Sequence, residues 1–302
     1  VFSLMNQKIL FKLSIILFFI TFITLFLVPI IGVEVKGSKR WLDIGSLPRF
    51  QPIEILKPFF VIVMSLIISI EKKNLYLKYL FSTIILLPTI ILLLSQPDLG
   101  QTLLIISIWF TLVFVSGINL FLFSFSLISI VSLTLFLILL VPKFEYIRIR
   151  LMSFIDTSSG NNYQADKASD AITSGGLFGK GVGEGTLNSR IPEAHTDYIM
   201  SVIAEEFGVV IVISIVIIYL IFFYKVIKKI NITDNNKSKL ILIGCITIIL
   251  VQTFIHLGVN IRMLPTTGMT MPFLSYGGSS IIGTSILVGI ILNLTKRKIS
   301  TK

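Results

Sequence analysis

Apolar residues run along this chain in blocks of about 20 positions, separated by short polar stretches. The blocks do not alternate polar with apolar, as the strands of a membrane barrel would. Each is long enough for a helix to cross a ~30 Å hydrocarbon core. Spans are predicted near 9–31, 52–70, 79–95, 99–116, 119–141, 198–224, 239–259 and 277–294. The predicted fold class is all-α, a polytopic integral membrane protein of about eight transmembrane helices. It reads as a single domain over 1–302 with one large extracytoplasmic loop at 142–197. Within that loop "YQADKASDAITSGG" predicts a short helix, with Ala168, Ala171 and Ile172 on one stripe and Gly175 ending it.

The polar connectors set the orientation. If every span crosses once, 14 basic residues and two acids, Glu71 and Asp234, fall on one side. They include Lys8, Lys12, Lys72, Lys73, Lys78, the lysines between 225 and 239, and Lys296, Arg297, Lys298 and Lys302. The other side has 11 basic residues against ten acids. An excess of Lys and Arg marks cytoplasmic loops, so both ends of this chain are placed in the cytoplasm. One outer loop resists the rule: it carries Lys36, Lys39, Arg40 and Arg49. An anionic ligand would account for them.

Composition agrees. Hydrophobic residues make up 54% and charged residues 14%, with a mean hydropathy of +0.95, which excludes an ordinary soluble domain. The formal charge of +11 then reads as lipid-facing loops, not as a nucleic-acid surface. The single cysteine, Cys245, lies in an apolar run and reads as a small core residue. The chain starts at Val1, not Met, and is expected to be a fragment or a processed piece.

Several polar stretches could carry chemistry. In "QPIEILKP", Glu54 and Lys57 are three apart and share a helix face. They either face a membrane cavity, or Glu54 sits in the first turn after Pro52 and Lys57 pairs with it. "SQPDLGQT" places Asp98 in a turn, where an exposed N-cap is the expectation. "SGGLFGKGVGEGT" lacks the G-K-[ST] ending of a phosphate loop; its glycines suit tight backbone packing. Arg148 and Arg150 follow the fifth span, as headgroup anchors or as a clamp on phosphate oxygens.

"IPEAHTDYIMSVIAEEFG" gathers Glu193, His195, Asp197, Glu205 and Glu206. Thr196 or Asp197 could cap the sixth span, and Glu205 and Glu206 fall about two turns into it. His195 with Glu193 and Asp197 is a poor metal pattern, because His256 is in a distant span. No G-x-S-x-G occurs. A carboxylate at a membrane surface remains, suited to general-base catalysis. "VNIRMLPTTGMTMPFLSYGGSS" is too polar and too broken by Pro and Gly for a simple loop, and predicts a packed or re-entrant segment before the last span.

Six of these pieces, in order, resemble the SEDS (FtsW/RodA) family of bacterial cell-wall polymerases. They are "KGSKRWLDIG" with "RFQPIEILKP", "QPDLGQT", "RIRLMSFID", "NYQADKASDAITSGGLFGKGVGEGT", "IPEAHTDYIMSVIAEEFG" and "LPTTGMTMPFLSYGGSS". The wording is closer to the division branch, FtsW, than to the elongation branch, RodA. Thr267 stands where many of the division proteins have lysine. The family has about ten spans, so the resemblance implies a chain lacking its first two.

The resemblance implies a peptidoglycan glycosyltransferase that polymerises lipid II at the outer face of the bacterial inner membrane, at the division septum. Asp197 falls on the family's catalytic aspartate, and Glu54 and Lys57 on its membrane-cavity pair. Arg150 matches its outer-surface arginine. Lys39 and Arg40 are assigned to the pyrophosphate, and Glu193 and His195 to the headgroup site around Asp197. The implied partners are lipid II, membrane lipid, a class B penicillin-binding protein transpeptidase (FtsI-like) and other division proteins, with no nucleic acid. A divalent cation, Mg or Mn, assists the family's activity; no organic cofactor or protein-held metal is implied. A lipid II flippase, a RodA-type elongation polymerase and an inactive scaffold are the rival readings.

Overall fold

A computed structural model describes residues 1–35, 37–45, 48–70, 75–155, 163–187 and 191–296. Lys36, Glu71, Lys72, Lys73, Arg297, Lys298 and Lys302, used in the charge argument, lie outside the described residues.

The chain runs α1 (Gln7–Ile31), a hairpin of β1 (Val33–Val35) and β2 (Ser38–Trp41), α2 (Pro52–Ile68), α3 (Leu75–Ser95), α4 (Leu99–Val115) and α5 (Leu120–Leu140). A 3-10 turn, Pro142–Phe144, leads to α6 (Glu145–Ile155) and α7 (Tyr163–Gly175). Then follow α8 (Ile199–Phe207), α9 (Val209–Ile232), α10 (Asn236–Asn260) and α11 (Gly278–Thr295). Among the described residues six helices are long and apolar enough to cross a membrane: α1, α3, α5, α9, α10 and α11. The 17-residue α2 and α4 are shorter. Their polar starts, Glu54 and Lys57 in α2 and Gln101 in α4, are buried in the bundle.

The predicted sixth span is the main departure. It breaks at Gly208, whose φ of 82° favours glycine. A β-carbon there would strike the Leu177 carbonyl. The short α8 therefore stays outside the long apolar helix, and Glu205 and Glu206 belong to α8, not to a membrane span. Two strands also appear where none were predicted. Glu34 pairs with Lys39 and Val35 with Ser38 in an antiparallel hairpin. Helix α7 forms as predicted, but Gly176, at φ 57°, supplies the left-handed residue after it.

Helix α2 is the hub. It packs against α1, α3, α4, α10 and α11, and Leu56 through Ser65 are buried without interruption. Small residues permit this. Gly283 of α11 lies against the Glu54 carbonyl, and Gly244 of α10 against Val61, so a methyl at either would clash. Helices α5 and α9, by contrast, bury little of their apolar surface.

The glycine-rich tract wraps the α8–α9 break. Lys180 and Gly181 donate backbone N–H bonds to the carbonyls of Glu205 (2.9 Å) and Glu206 (3.1 Å). Glu205, fully buried, accepts from Lys180 Nζ at 3.1 Å and from the backbone N–H of Thr186 and Leu187 at 3.0 Å each. Its role is to hold that loop.

Long-range contacts sort the helix ends. Gln51, before α2, donates its N–H to Ser279 of α11 and its amide to Asp98 before α4. Arg40, after α1, reaches Gln96 after α3, and Asn260 of α10 reaches Asp197 before α8. At the other end, Asn293 of α11 binds the carbonyls of Phe2 and Met5. The lysine-rich ends of α9 and α10 lie opposite Asp197 by this alternation.

Candidate functional site

Asp197 ends a turn that begins at Glu193. Glu193 has φ 59°, and its carbonyl accepts the N–H of Thr196 (3.1 Å) and of Asp197 (3.0 Å). The next carbonyls are held from outside. His195 O accepts Tyr276 N–H at 2.9 Å, Thr196 O accepts Ser275 Oγ at 2.5 Å, and Asp197 O accepts Asn260 Nδ2 at 3.2 Å. Three successive peptides are thus fixed by the segment 260–276. That segment is itself tied down by Tyr219 of α9, whose hydroxyl donates to Pro272 O, and by an Arg262–Asp166 ion pair of 2.6 Å.

Arg40 comes to Asp197 from the hairpin. Its Nε donates to Gln96 O at 3.1 Å, its Nη2 donates to Pro97 O, and it lies 4.0 Å from Asp98 Oδ2. Arg40 Nη1 and Asp197 Oδ2 border one small space above Gly268. Burial pushes the Asp197 carboxyl up to about 6, and the neighbouring Glu193 adds to this; Arg40 and the Thr196 hydroxyl pull it back. Arg150, on α6 and partly buried, is pushed down by burial and then by the charge of Arg40. Two cations that feel each other's charge favour an anion nearby. Tyr146 and Tyr198 flank the same group, and burial pushes the Tyr146 phenol up to about 12.

A polar chain continues inward. Asp98 is 2% exposed, a correction to the expected exposed turn, although it does cap α4 by accepting Gln101 N–H at 3.3 Å. Burial raises its pKa, against the pull of Arg40. Gln101 Nε2 donates to Glu54 Oε1 at 2.5 Å, and Glu54 Oε2 pairs with Lys57 Nζ at 2.8 Å. Lys57 donates to Gln252 at 3.1 Å, and Gln252 to the Thr270 carbonyl at 2.9 Å. Glu54 does lie in the first turn of α2 after Pro52. Its pair with Lys57 borders a gap with room for about one water, lined also by Pro58, Gln252, Pro272 and Thr284.

The model of the FtsW/RodA/SpoVE family of cell cycle proteins matches residues 1–299. The chain belongs to this family. A probable peptidoglycan glycosyltransferase FtsW of Caulobacter vibrioides is 30% identical over 281 residues, covering 89% of this chain and 68% of that protein. Another, from Nitrosomonas europaea, is 34% identical over 278 residues, covering 89% and 71%. A solved chain from work on polymerization and crosslinking by a peptidoglycan synthase complex superposes with a TM-score of 0.78. It is 27% identical and covers 97% of this chain and 83% of that one. The rod shape determining protein RodA of Thermus thermophilus gives 0.71 at 27% identity, covering 97% and 81%. The chain is a multi-pass membrane protein with the helical fold of this family.

Within that family fold, Asp197 and Arg40 border one space over Gly268 and Arg150 is near enough to feel both charges, while Glu54 and Lys57 connect toward them through Gln101 and Asp98 on one side and through Gln252 and Thr270 on the other. Lys39 is exposed, as are Glu193 and the His195 side chain. Glu193 acts on Asp197 by charge, and His195 is tied through its backbone carbonyl. Among the described residues no three His, Cys, Asp or Glu side chains converge. Sequence reasoning missed Asp98, Gln101, Asn260 and Ser275 as parts of the site. Asp98, Gln101 and Ser275 lie in stretches that carried the resemblance, and the signal for Asn260 was polarity at the end of an apolar run.

Proposed function

We propose that this chain is a peptidoglycan glycosyltransferase, polymerising lipid II at the outer face of the bacterial inner membrane for septal wall synthesis. The carrying observation is a carboxylate, Asp197, that shares one small space over Gly268 with Arg40, the backbone of its turn held by three outside hydrogen bonds, and whose pKa burial raises to about 6. A base works best when its pKa lies near the working pH. Asp197 takes the proton from the 4-hydroxyl of the acceptor sugar. That oxygen attacks the anomeric carbon of the donor, the bond to the pyrophosphate breaks, and undecaprenyl pyrophosphate leaves with the electron pair. Attack from the opposite face turns the α linkage into β. Arg40 and Arg150 offset the charge that grows on the leaving group. Anchored to Gln96 and Pro97, Arg40 is held in place before the reaction, so it needs little reorganisation.

A class B penicillin-binding protein transpeptidase is the proposed partner, supported by the likeness to a chain from a peptidoglycan synthase complex. The test is polymerisation of purified lipid II by the chain with that partner, wild type against Asp197→Ala. Glycan polymer from wild type alone is the expected result. Polymer from the variant would remove Asp197 from its role, and none from either would point to transport or scaffolding.

A further inference from the structure

Asn260, the last residue of α10, is 1% exposed and uses both ends of its amide. Its Oδ1 accepts the Ser201 N–H at 3.1 Å and the Ser201 hydroxyl at 2.7 Å. Because an N–H only donates, this contact sets which way the amide faces. Its Nδ2 then donates to Asp197 O at 3.2 Å and to His256 O at 2.8 Å.

Ser201 is the third residue of α8, so its N–H is one of the donors that a helix start leaves unpaired. The helix's own cap position, Tyr198, makes no side-chain capping bond, and the Ser201 N–H is shared only with Tyr198 O at 2.9 Å. Asn260 therefore caps α8 from another helix and grips the peptide of the residue that carries the carboxylate. Ser275 and Tyr276 independently hold the two carbonyls before it. Loss of Asn260 would leave the turn docked and release the Asp197 peptide alone.

We propose that Asn260 is a positioning residue for Asp197, fixing the direction of its carboxylate toward the acceptor hydroxyl. This rests on the glycosyltransferase reading. The test compares wild type, Asn260→Ala, Asn260→Asp and Asp197→Ala, each as the full chain with its transpeptidase partner. Lipid II polymerisation is followed across pH, with thermal unfolding in detergent alongside. Asn260→Ala is expected to lower kcat about tenfold or more, since small misplacements of a catalytic group are costly. KM for lipid II should stay within about twofold. The acid limb of its pH profile should move. Asn260→Asp is nearly isosteric, and its protonated carboxyl keeps one donor and one acceptor, so its kcat, taken as a fraction of the wild-type value at the same pH, should rise as pH falls.

Wild-type kcat and pH profile in Asn260→Ala would overturn the proposal. So would a loss that follows unfolding and that Asn260→Asp does not relieve. If wild type makes no polymer, the glycosyltransferase reading falls and this proposal with it; if Asp197→Ala makes polymer, Asp197 loses its role as base and Asn260 loses its role with it, while the glycosyltransferase reading stands.

Discussion

Arg40 and Asp197 meet over Gly268: Nη1 of the one and Oδ2 of the other lie 3.5 and 3.4 Å from where a β-carbon at 268 would stand. Gly268 also has φ 70°, a conformation that costs an L-residue about 1–2 kcal/mol. Gly268→Ala should therefore lower stability by about that amount, read from thermal unfolding in detergent. Polymerisation should fall further than stability does, because the added methyl enters the space that the two charged groups share. A variant with normal activity would show that the space is not used in the reaction.

Asp197 gives a signed pH dependence. Its carboxyl is raised from 3.8 to about 6, by burial first and Glu193 second. The base form is lost as pH falls through about 6, so polymerisation should drop there. Glu193→Gln should move that limb to lower pH, and Arg40→Gln should move it higher, since the two charges act in opposite senses. For stability the sign reverses. The folded state binds this proton more tightly than the unfolded chain does, so its contribution is fullest below pH 3.8 and is lost as pH rises through about 6. Asp197→Asn should then raise the unfolding temperature more at pH 8 than at pH 5. Equal effects at both would contradict the shift.

Glu205 is a structural acid, and its variants should show it. Fully buried, it holds Lys180 and two backbone N–H groups. Glu205→Ala leaves these donors without their acceptor and should cost about 3–5 kcal/mol. Lys180→Met should cost less, because Lys180 is 33% exposed and the backbone bonds to Glu205 remain. Thermal unfolding of the two variants ranks them, and the reverse order would refute the assignment.

The fate of these acids shows what could be read from the chain alone. Helix positions were legible because hydrocarbon length and unbroken apolar runs are local properties. Helix α7 was legible through its Ala stripe and the glycines after it. Asp197 was found through its motif. The rest depends on contacts between distant positions. Nothing near Glu205 in sequence names Lys180 or Thr186 as its partners, and nothing near Asp98 says that Arg40 will bury it. The break at Gly208 was hidden because the long apolar run that follows it at once reads as one span with the residues before it, Glu205 and Glu206 included. Its cause, the Leu177 carbonyl, lies 31 positions upstream.

The Glu54–Lys57 pair offers a test that separates fold from chemistry. Both residues are 3% exposed and their charges are 2.8 Å apart, with Gln101 and Gln252 completing the network. Removing one partner of such a pair strands a buried charge and costs about 3–5 kcal/mol; removing both is often close to neutral. Glu54→Gln and Lys57→Met should each destabilise strongly, and the double variant should recover most of the loss in thermal unfolding. Activity then decides the role. If the pair only braces α2 against α4 and α10, the double variant should polymerise lipid II nearly as well as wild type. If the charges act on the substrate, the double variant should be folded yet inactive. The buried network, with its small gap and its route to Asp197 through Gln101 and Asp98, favours the first outcome.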